Sequence, residues 1–441
     1  MSRRPTRTVV QARAVIAVVA ITFGACVARP PSRPADVVLI VIDTLRADHV
    51  SLYGYPRRTA PALEAFARDA VTYDDAISPG TWTVPSHAAV FTGRWPSFAG
   101  AERVPGDRNL AMPINDAAPT LAELLSRSQF HTAAFVANTA YVARALGFAR
   151  GFDEFADWNL STANRVEHAF RLWLPPRNDR LFVFMNILDP HEPYDPPGAY
   201  KRRFPGRVRR YGTVMTELVN GGTPVTPELQ AHFVSQYDGE IAFTDHVLGQ
   251  IFDDLRRAHR YDSALVIVTS DHGEILGEHG LAGHGGAPYE PLVHVPLIVK
   301  LPGNARAGER VARRVSTLGI FQTILSTVGV AAPSGTQSQA LDTEHVVWVE
   351  DINPAGERVR VGYEGPLKLV TVTSDAGVRT ALYDLGADAT EEHPADDHSG
   401  AAGLRTAVAS FAAVERPVNT APVAVVDPER EWKLRALGYI R

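Results

Sequence analysis

The chain has 441 residues, 45% of them hydrophobic and 21% charged, and a formal net charge of −5. This is the composition of a globular protein long enough for one large domain and a smaller one, and nothing in it supplies the clustered basic face of a nucleic-acid-binding protein. The single cysteine, Cys26, excludes an intrachain disulfide and any cysteine chemistry in the body of the chain.

Residues 1–26 read as an export signal. Arg3, Arg4, Arg7 and Arg13 precede a short apolar run, 14–23, and Gly24 and Ala25 precede Cys26. The run is too short to span a bilayer. Phe23-Gly24-Ala25-Cys26 resembles a bacterial lipobox, although Phe23 is atypical of it. The expectation is an exported chain of the bacterial cell envelope, attached peripherally to the membrane by a lipid on Cys26. Residues 27–35, with Pro30, Pro31 and Pro34, form an extended tether.

Val37–Ile42 is apolar on both faces, as a strand buried in a parallel sheet is, and it runs into Asp43. Ala60–Ala67 has helical spacing with Pro61 in its first turn, and 71–73 reads as a strand. Thr83 stands before a helix opened by Pro85, where the helix dipole and free N–H groups favour an alkoxide and an anionic substrate. The plainer reading of Thr83 is a helix N-cap.

Residues 130–136 and 181–188 are further strands, the second ending at Asp189. Segments 153–180 and 199–226 read as loops, and the basic run 201–210 as solvated chain. Residues 229–257 form a long amphipathic helix whose Phe233, Tyr237 and Ile241 point to the core. The apolar run 264–269 then ends in Ser270-Asp271-His272-Gly273. Ligands of open α/β sheets bind beyond the carboxyl ends of the strands, and a carboxylate beside an imidazole suits a divalent metal. Two buried strands that end in carboxylates make Asp43, Asp271 and His272 candidate metal ligands.

Residues 318–328 read as a helix closing the large domain. Short strands then follow at 346–350, 359–363, 368–372 and 379–383, as in a small antiparallel sheet. A helix at 403–415, a linker at 416–427 and a last helix at 428–437 complete the chain.

Asp43, the TVPSHAAVFTG stretch from Thr83, Asp189-Pro190-His191-Glu192-Pro193-Tyr194 and SDHGEILGEHG from Ser270 occur in the order seen in sulfatases. Lesser matches lie at 120–125, 237–242, 289–298 and 382–385. The chain thus resembles the sulfatase family of the alkaline-phosphatase-like superfamily, over roughly residues 36–330 plus the short 382–385 match. The resemblance implies an α/β fold, a mostly parallel sheet with helices on both faces, and a catalytic domain at 36–330. Residues 331–441 would form a C-terminal α+β subdomain. It implies that Asp43, Thr83, Asp271 and His272 hold one divalent metal and that Thr83 is the nucleophile. His191 would face the substrate oxyanion or leaving group, and His284 and Asn138 stand where many sulfatases have lysines. Arg46 is open between an anion contact and a structural ion pair, and Asp48, Glu278 and His279 are supporting residues at most.

The chain departs from the family in three ways. Thr83 replaces the Cys or Ser that becomes formylglycine; oxidising threonine would give a ketone, so no formylglycine is expected. Thr44 replaces a second carboxylate, leaving a ligand set that suits zinc or manganese at least as well as the calcium the family implies. His87 replaces a supporting arginine and could act as a donor or as a base titrating near neutrality.

The expected activity is metal-dependent hydrolysis of a small-molecule, glycan or lipid ester of sulfate, phosphate or phosphonate. Thr83 attacks in line, His191 and Asn138 bind the oxyanion, and His284 protonates the leaving oxygen. The alternatives are an envelope phosphoethanolamine- or phosphoglycerol-type transferase and a non-catalytic anion- or glycan-binding relative.

Overall fold

The computed structural model describes Met1 and residues 36–107, 109–157, 162–175, 179–211, 222–343, 346–395 and 400–423. The export signal, the tether, Cys26, the end of the 416–427 linker and the 428–437 helix lie outside the described residues.

The strands in chain order are β1 (Val37–Ile42), β2 (Val71–Ile77), β3 (Phe130–Val136), β4 (Glu154–Ala156), β5 (Arg180–Ile187) and β6 (Leu265–Ser270), then a small ribbon of β7 (Ile275–Leu276) and β8 (Ala282–Gly283), then β9 (His294–Lys300) and β10 (Arg310–Ser316). All but the ribbon join one sheet in the order β10-β2-β9-β6-β1-β5-β3-β4. Every pairing is parallel except those of β9, which runs against β2 and β6.

Helices cover both faces, and β1 shows why. Val37, Leu39 and Val41 enter one apolar core, and Val38, Ile40 and Ile42 the other. With period-two alternation, a strand flanked on both sides has no polar face to offer. The first core takes α2 (Thr83–Thr92), α4 (Leu121–Arg127) and α8 (Gly319–Val328). The second takes α1 (Pro61–Phe66), α5 (Ala163–Trp173) and α6 (Pro227–Arg257). Two short helices, α3 (Pro96–Ala99) and α7 (Glu290–Val293), connect larger elements.

The C-terminal part is a four-stranded antiparallel sheet of β11 (Trp348–Ile352), β12 (Arg358–Glu364), β13 (Leu367–Ser374) and β14 (Gly377–Asp384). One face packs on α9 (Ala401–Ala413) through Leu404 and Val408. The other face joins Val349, Val361 and Tyr363 to Ile77, Leu292 and Val293 of the large sheet's periphery. The described residues from Asp36 onward accordingly fall in one compact unit.

Several expectations are corrected. β2 runs on through Asp74 and Asp75 to Ile77, because the β10 strand beside it supplies Arg310 and Arg314 as partners for those carboxylates. The 153–180 segment is not a loop throughout; it holds β4 and α5. Thr83 is neither before its helix nor the cap: it is the first helical residue, and Trp82 occupies the extended N-cap position. Among the described residues no helix is long and apolar enough to cross a membrane.

Candidate active site

Parallel strands carry their carboxyl ends to one edge of the sheet, and the candidate residues follow from there. Asp43 succeeds β1, Asp271 and His272 succeed β6, Asn138 follows β3, and His191 follows β5. Pairing brings the ends level, since Ile42 sits in register with both Ile187 and Ser270. α2 supplies Thr83 from its N-terminus. One ligand atom each of Asp43, Asp271 and His272 lies within 4.8 Å of the others. His272 Nε2 is 3.6 Å from Asp43 Oδ1, 3.4 Å from Asp271 Oδ2 and 3.4 Å from Thr83 Oγ1. Asn138 Nδ2 donates to Asp43 Oδ2 at 2.7 Å and reaches Thr83 Oγ1 at 3.5 Å.

The backbone around these groups is held by side chains from other elements. Ser270 Oγ accepts from Leu45 N (2.9 Å) and lies 2.6 Å from His272 O, joining the ends of β1 and β6. Tyr237 of α6 donates to Thr44 O (2.6 Å) and accepts from Arg46 N (2.9 Å). Between these ties Thr44 holds a φ of 58°, a left-handed conformation that β-branched residues rarely adopt. Gly273 is needed at its position, because a Cβ there would lie 1.9 Å from Pro291 O.

The electrostatics of the three groups suit a cation. Burial raises the Asp43 carboxyl, an effect that His191 and the amides of Asn138 and Asn186 only partly oppose. Burial, with the nearby Asp43 charge, raises Asp271 well above its ordinary range. Burial lowers His272 to about 3, so it is a neutral imidazole. Its Nδ1 donates to Gly273 O at 2.8 Å, which leaves Nε2 as a bare lone pair. Asp43 Oδ1 and Asp271 Oδ2 are buried without a hydrogen-bond partner. Two orphaned carboxylate oxygens facing a bare imidazole nitrogen are costly in a dry site unless a positive ion completes them, so the residues fit a divalent metal.

The other candidates separate into two groups. His191 and His284 stand at the centre. Their rings are 5.0 Å apart, and His284 is 4.6 Å from the His272 ring. His191 Nδ1 donates to Glu192 O at 2.6 Å, and His284 Nδ1 is hydrogen-bonded to Glu274 Oε1 at 2.9 Å. Each Nε2 is thereby the ring nitrogen not tied by these bonds. His87 lies behind Thr83, where its Nδ1 donates to Thr83 O at 2.9 Å and its ring meets Phe148 and Phe184. Burial lowers it to about 4, which corrects the expectation of a base titrating near neutrality. Of the two readings open for Arg46, the contacts are those of a structural ion pair: its guanidinium is taken up by Asp48 (2.8 and 2.9 Å), Glu278 (2.7 Å) and Glu274 O (3.0 Å). His279 stacks on Tyr289 at 3.8 Å.

Sequence reasoning missed three residues. Glu274 holds His284, and burial, then Glu192, pushes its carboxyl well above the ordinary range. Asn186 is fully buried, and its Oδ1 accepts from Asn138 N at 2.7 Å. A polar residue near the end of the apolar run 181–188 was its available signal. Asp351 of β11 accepts from Trp82 Nε1 at 3.0 Å and from Thr81 Oγ1, just ahead of Thr83; nothing in its local sequence announces this.

Comparison with known proteins gives the family and the fold. A family model described as sulfatase matches residues 35–330. The chain is 22% identical to human N-acetylgalactosamine-6-sulfatase, over 68% of this chain and 63% of that protein. It is 20% identical to an ulvan-active sulfatase of Formosa agariphila, over 70% of this chain and 65% of that protein. It thus spans a little under two thirds of the length of both relatives. Its fold is similar to that of the phosphonate monoester hydrolase of Agrobacterium radiobacter, with a TM-score of 0.70 and 20% identity over 86% of this chain and 94% of that one.

Proposed function

The chain belongs to the sulfatase family, and on that premise we propose that it is a metal-dependent hydrolase of anionic esters with Thr83 as nucleophile. The observation that carries the reading is the convergence of Asp43 Oδ1 and Asp271 Oδ2, unsatisfied in a buried site, with His272 Nε2, whose partner is Thr83 Oγ1 at 3.4 Å. A divalent ion held by Asp43, Asp271, His272 and Thr83 would neutralise charge on the ester oxygens and acidify a neighbouring hydroxyl. The remaining chemistry belongs to side chains. Asn138 bridges Asp43 and Thr83 and fixes the direction of the attacking oxygen. His191 donates to the oxyanion, while the donors of Asn138 stay on Asp43, Thr83 and Asn186. As Thr83 Oγ1 bonds to the central atom its proton passes to solvent, the bond to the leaving oxygen breaks, and His284, steadied by Glu274, gives that oxygen a proton. Water then attacks the same central atom, giving a proton back to His284, and the bond to Thr83 Oγ1 breaks as that oxygen takes up a proton from solvent.

The ester is preferentially of phosphorus. Threonine cannot become the aldehyde whose hydrate expels sulfate by elimination, so release requires a second attack at the central atom, which phosphorus accepts readily. The likeness to a phosphonate monoester hydrolase supports this preference, and the sulfatase relatives keep sulfate esters in the test. A phosphoryl transferase with an alcohol acceptor is the second reading, favoured by the same unoxidisable nucleophile. Peripheral membrane attachment through Cys26 is part of the proposal and rests on the sequence alone.

The test is a metal-resolved screen. Chelator-stripped protein is given zinc, manganese or calcium and assayed on aryl phosphate mono- and diesters, an aryl phosphonate monoester and an aryl sulfate, with and without a glycerol acceptor. Metal-restored phosphoester hydrolysis that Thr83→Ala reduces at least about 10³-fold supports the proposal. Turnover unaffected by Thr83→Ala refutes it. Turnover only with glycerol identifies the transferase.

A further inference from the structure

We propose that a cavity whose wall begins at Gly286, two residues after His284, binds the organic part of the ester, and that this part is an uncharged aromatic or branched aliphatic group. The inference rests on the hydrolase reading and extends it to the substrate. The cavity has a volume of about 460 Å³, within the range of roughly 300–1,000 Å³ usual for small-molecule sites. It lies between the 286–289 turn and one face of the C-terminal sheet. Val359 pairs with Val372 and Val370 with Ala381, so these four side chains share that face, and Ala287 and Tyr289 close the opposite side.

Arg103 ties the cavity wall to Trp82, the residue before Thr83. Arg103 Nε donates to Ile352 O at 2.8 Å and Nη2 to Gly285 O at 3.2 Å, and its guanidinium lies 4.3 Å over the Trp82 ring, next to Thr83. Ile352 and Gly285 immediately precede two residues of the cavity wall, Asn353 and Gly286. Gly285 also packs on Trp82, since a Cβ there would be 3.5 Å from Trp82 Cβ. Gly286 follows His284 by two residues, which keeps their Cα atoms within about 7 Å. The near wall is therefore attached on one side to the nucleophile's neighbour and on the other to the proton donor.

The lining decides the chemistry. Among the described wall residues the cation is Arg379, already paired with Glu357 at 2.6 Å, and the further charge is the Glu391 carboxylate, 2.7 Å from Lys368. A multiply sulfated or phosphorylated saccharide would lose its hydration there and meet carboxylates in return. An aryl or branched alkyl group would exchange water for valine, alanine and tyrosine surfaces, which is favourable in proportion to the apolar area covered.

The experiment uses the full chain with the metal that supports turnover. The probes are 1-naphthol for binding, and the 1-naphthyl and methyl esters of phosphate and sulfate for turnover. Ala381→Phe fills the cavity, and Val372→Lys puts a charge in its wall; either suffices should the other fail to fold. The expected result is that both variants weaken 1-naphthol binding at least tenfold. Both raise KM for the naphthyl ester at least tenfold and leave kcat/KM for the methyl ester within twofold. Equal 1-naphthol binding by wild type and variants, with the esters still hydrolysed, overturns the cavity assignment alone, as does an equal loss on the methyl ester. Turnover of no ester by the wild type overturns the hydrolase reading and the subsite role with it.

Discussion

At the scale of single residues, the site works by leaving selected atoms unsatisfied and tying down their neighbours. His284 is held at Nδ1 by Glu274, so its contribution should depend on how badly the leaving oxygen needs a proton. His284→Asn is expected to lower kcat about 10²-fold or more for an alkyl ester and far less for a 4-nitrophenyl ester, whose leaving group needs no acid; parallel rate measurements on the two would show it. Asp351 makes a pH prediction away from Asp43, Asp271 and His272. Burial, opposed by Arg103, Thr81 and Trp82, pushes its carboxyl up to about 6, against about 3.9 for a free aspartate. The folded protein then binds this proton more tightly than the unfolded chain does. Its contribution to stability falls as pH rises from about 4 through about 6, by about 3 kcal/mol in all, and is constant above. Asparagine does not titrate. The stability difference between wild type and Asp351→Asn, read from urea unfolding at pH 4 and pH 7, should therefore shift by about that amount toward the variant.

At the scale of elements, the turns that follow the strands matter more than the strands. The turn after β6 approaches α7 so closely that only glycine fits: Gly273 N donates to Leu292 O at 2.8 Å, and a Cβ would collide with Pro291 O. Gly273→Ala must displace the turn carrying His272. The expected outcome is a metal affinity lowered at least about tenfold, measured by chelator competition, with the far-UV spectrum unchanged. The Thr44 turn is pinned from a distance by Tyr237 on α6. Tyr237→Phe keeps the ring's packing and removes both bonds, at a cost of about 1–3 kcal/mol. A variant as stable as the wild type would mean those bonds hold nothing.

At the scale of the whole molecule, the metal should act as a structural partner of the fold. Two buried carboxylates that repel one another destabilise the metal-free protein, and an ion that binds only the folded state adds about 2.7 kcal/mol at a hundredfold excess over Kd. Chelation is expected to lower the melting temperature by several degrees, and re-addition of the correct ion to restore it. In Asp271→Asn, which lacks one charge and one ligand, the effect should shrink. The two sheets belong to the same thermodynamic unit, because Ile77, Leu292 and Val293 are buried against Val349, Val361 and Tyr363 of the smaller one.

The sequence by itself determined the fold class and the centre of the site. Strands buried on both faces must be apolar throughout, and a carboxylate ending such a run has few roles but ligation, so Val37–Ile42 with Asp43 and the run before Asp271 and His272 were legible locally. Tertiary structure decided the roles that depend on distant partners. Asp74 and Asp75 could sit in a strand only because Arg310 and Arg314 came alongside. Arg46 became a structural clamp because Glu278 and the Glu274 carbonyl met it from another turn. His87 is neutral because Phe148 and Phe184 surround it, and Asp351 supports Trp82 across 269 residues of chain. The period of an apolar pattern is written in neighbouring residues. Desolvation and charge pairing are set by whatever the folded chain brings within a few ångströms, and local sequence does not record that.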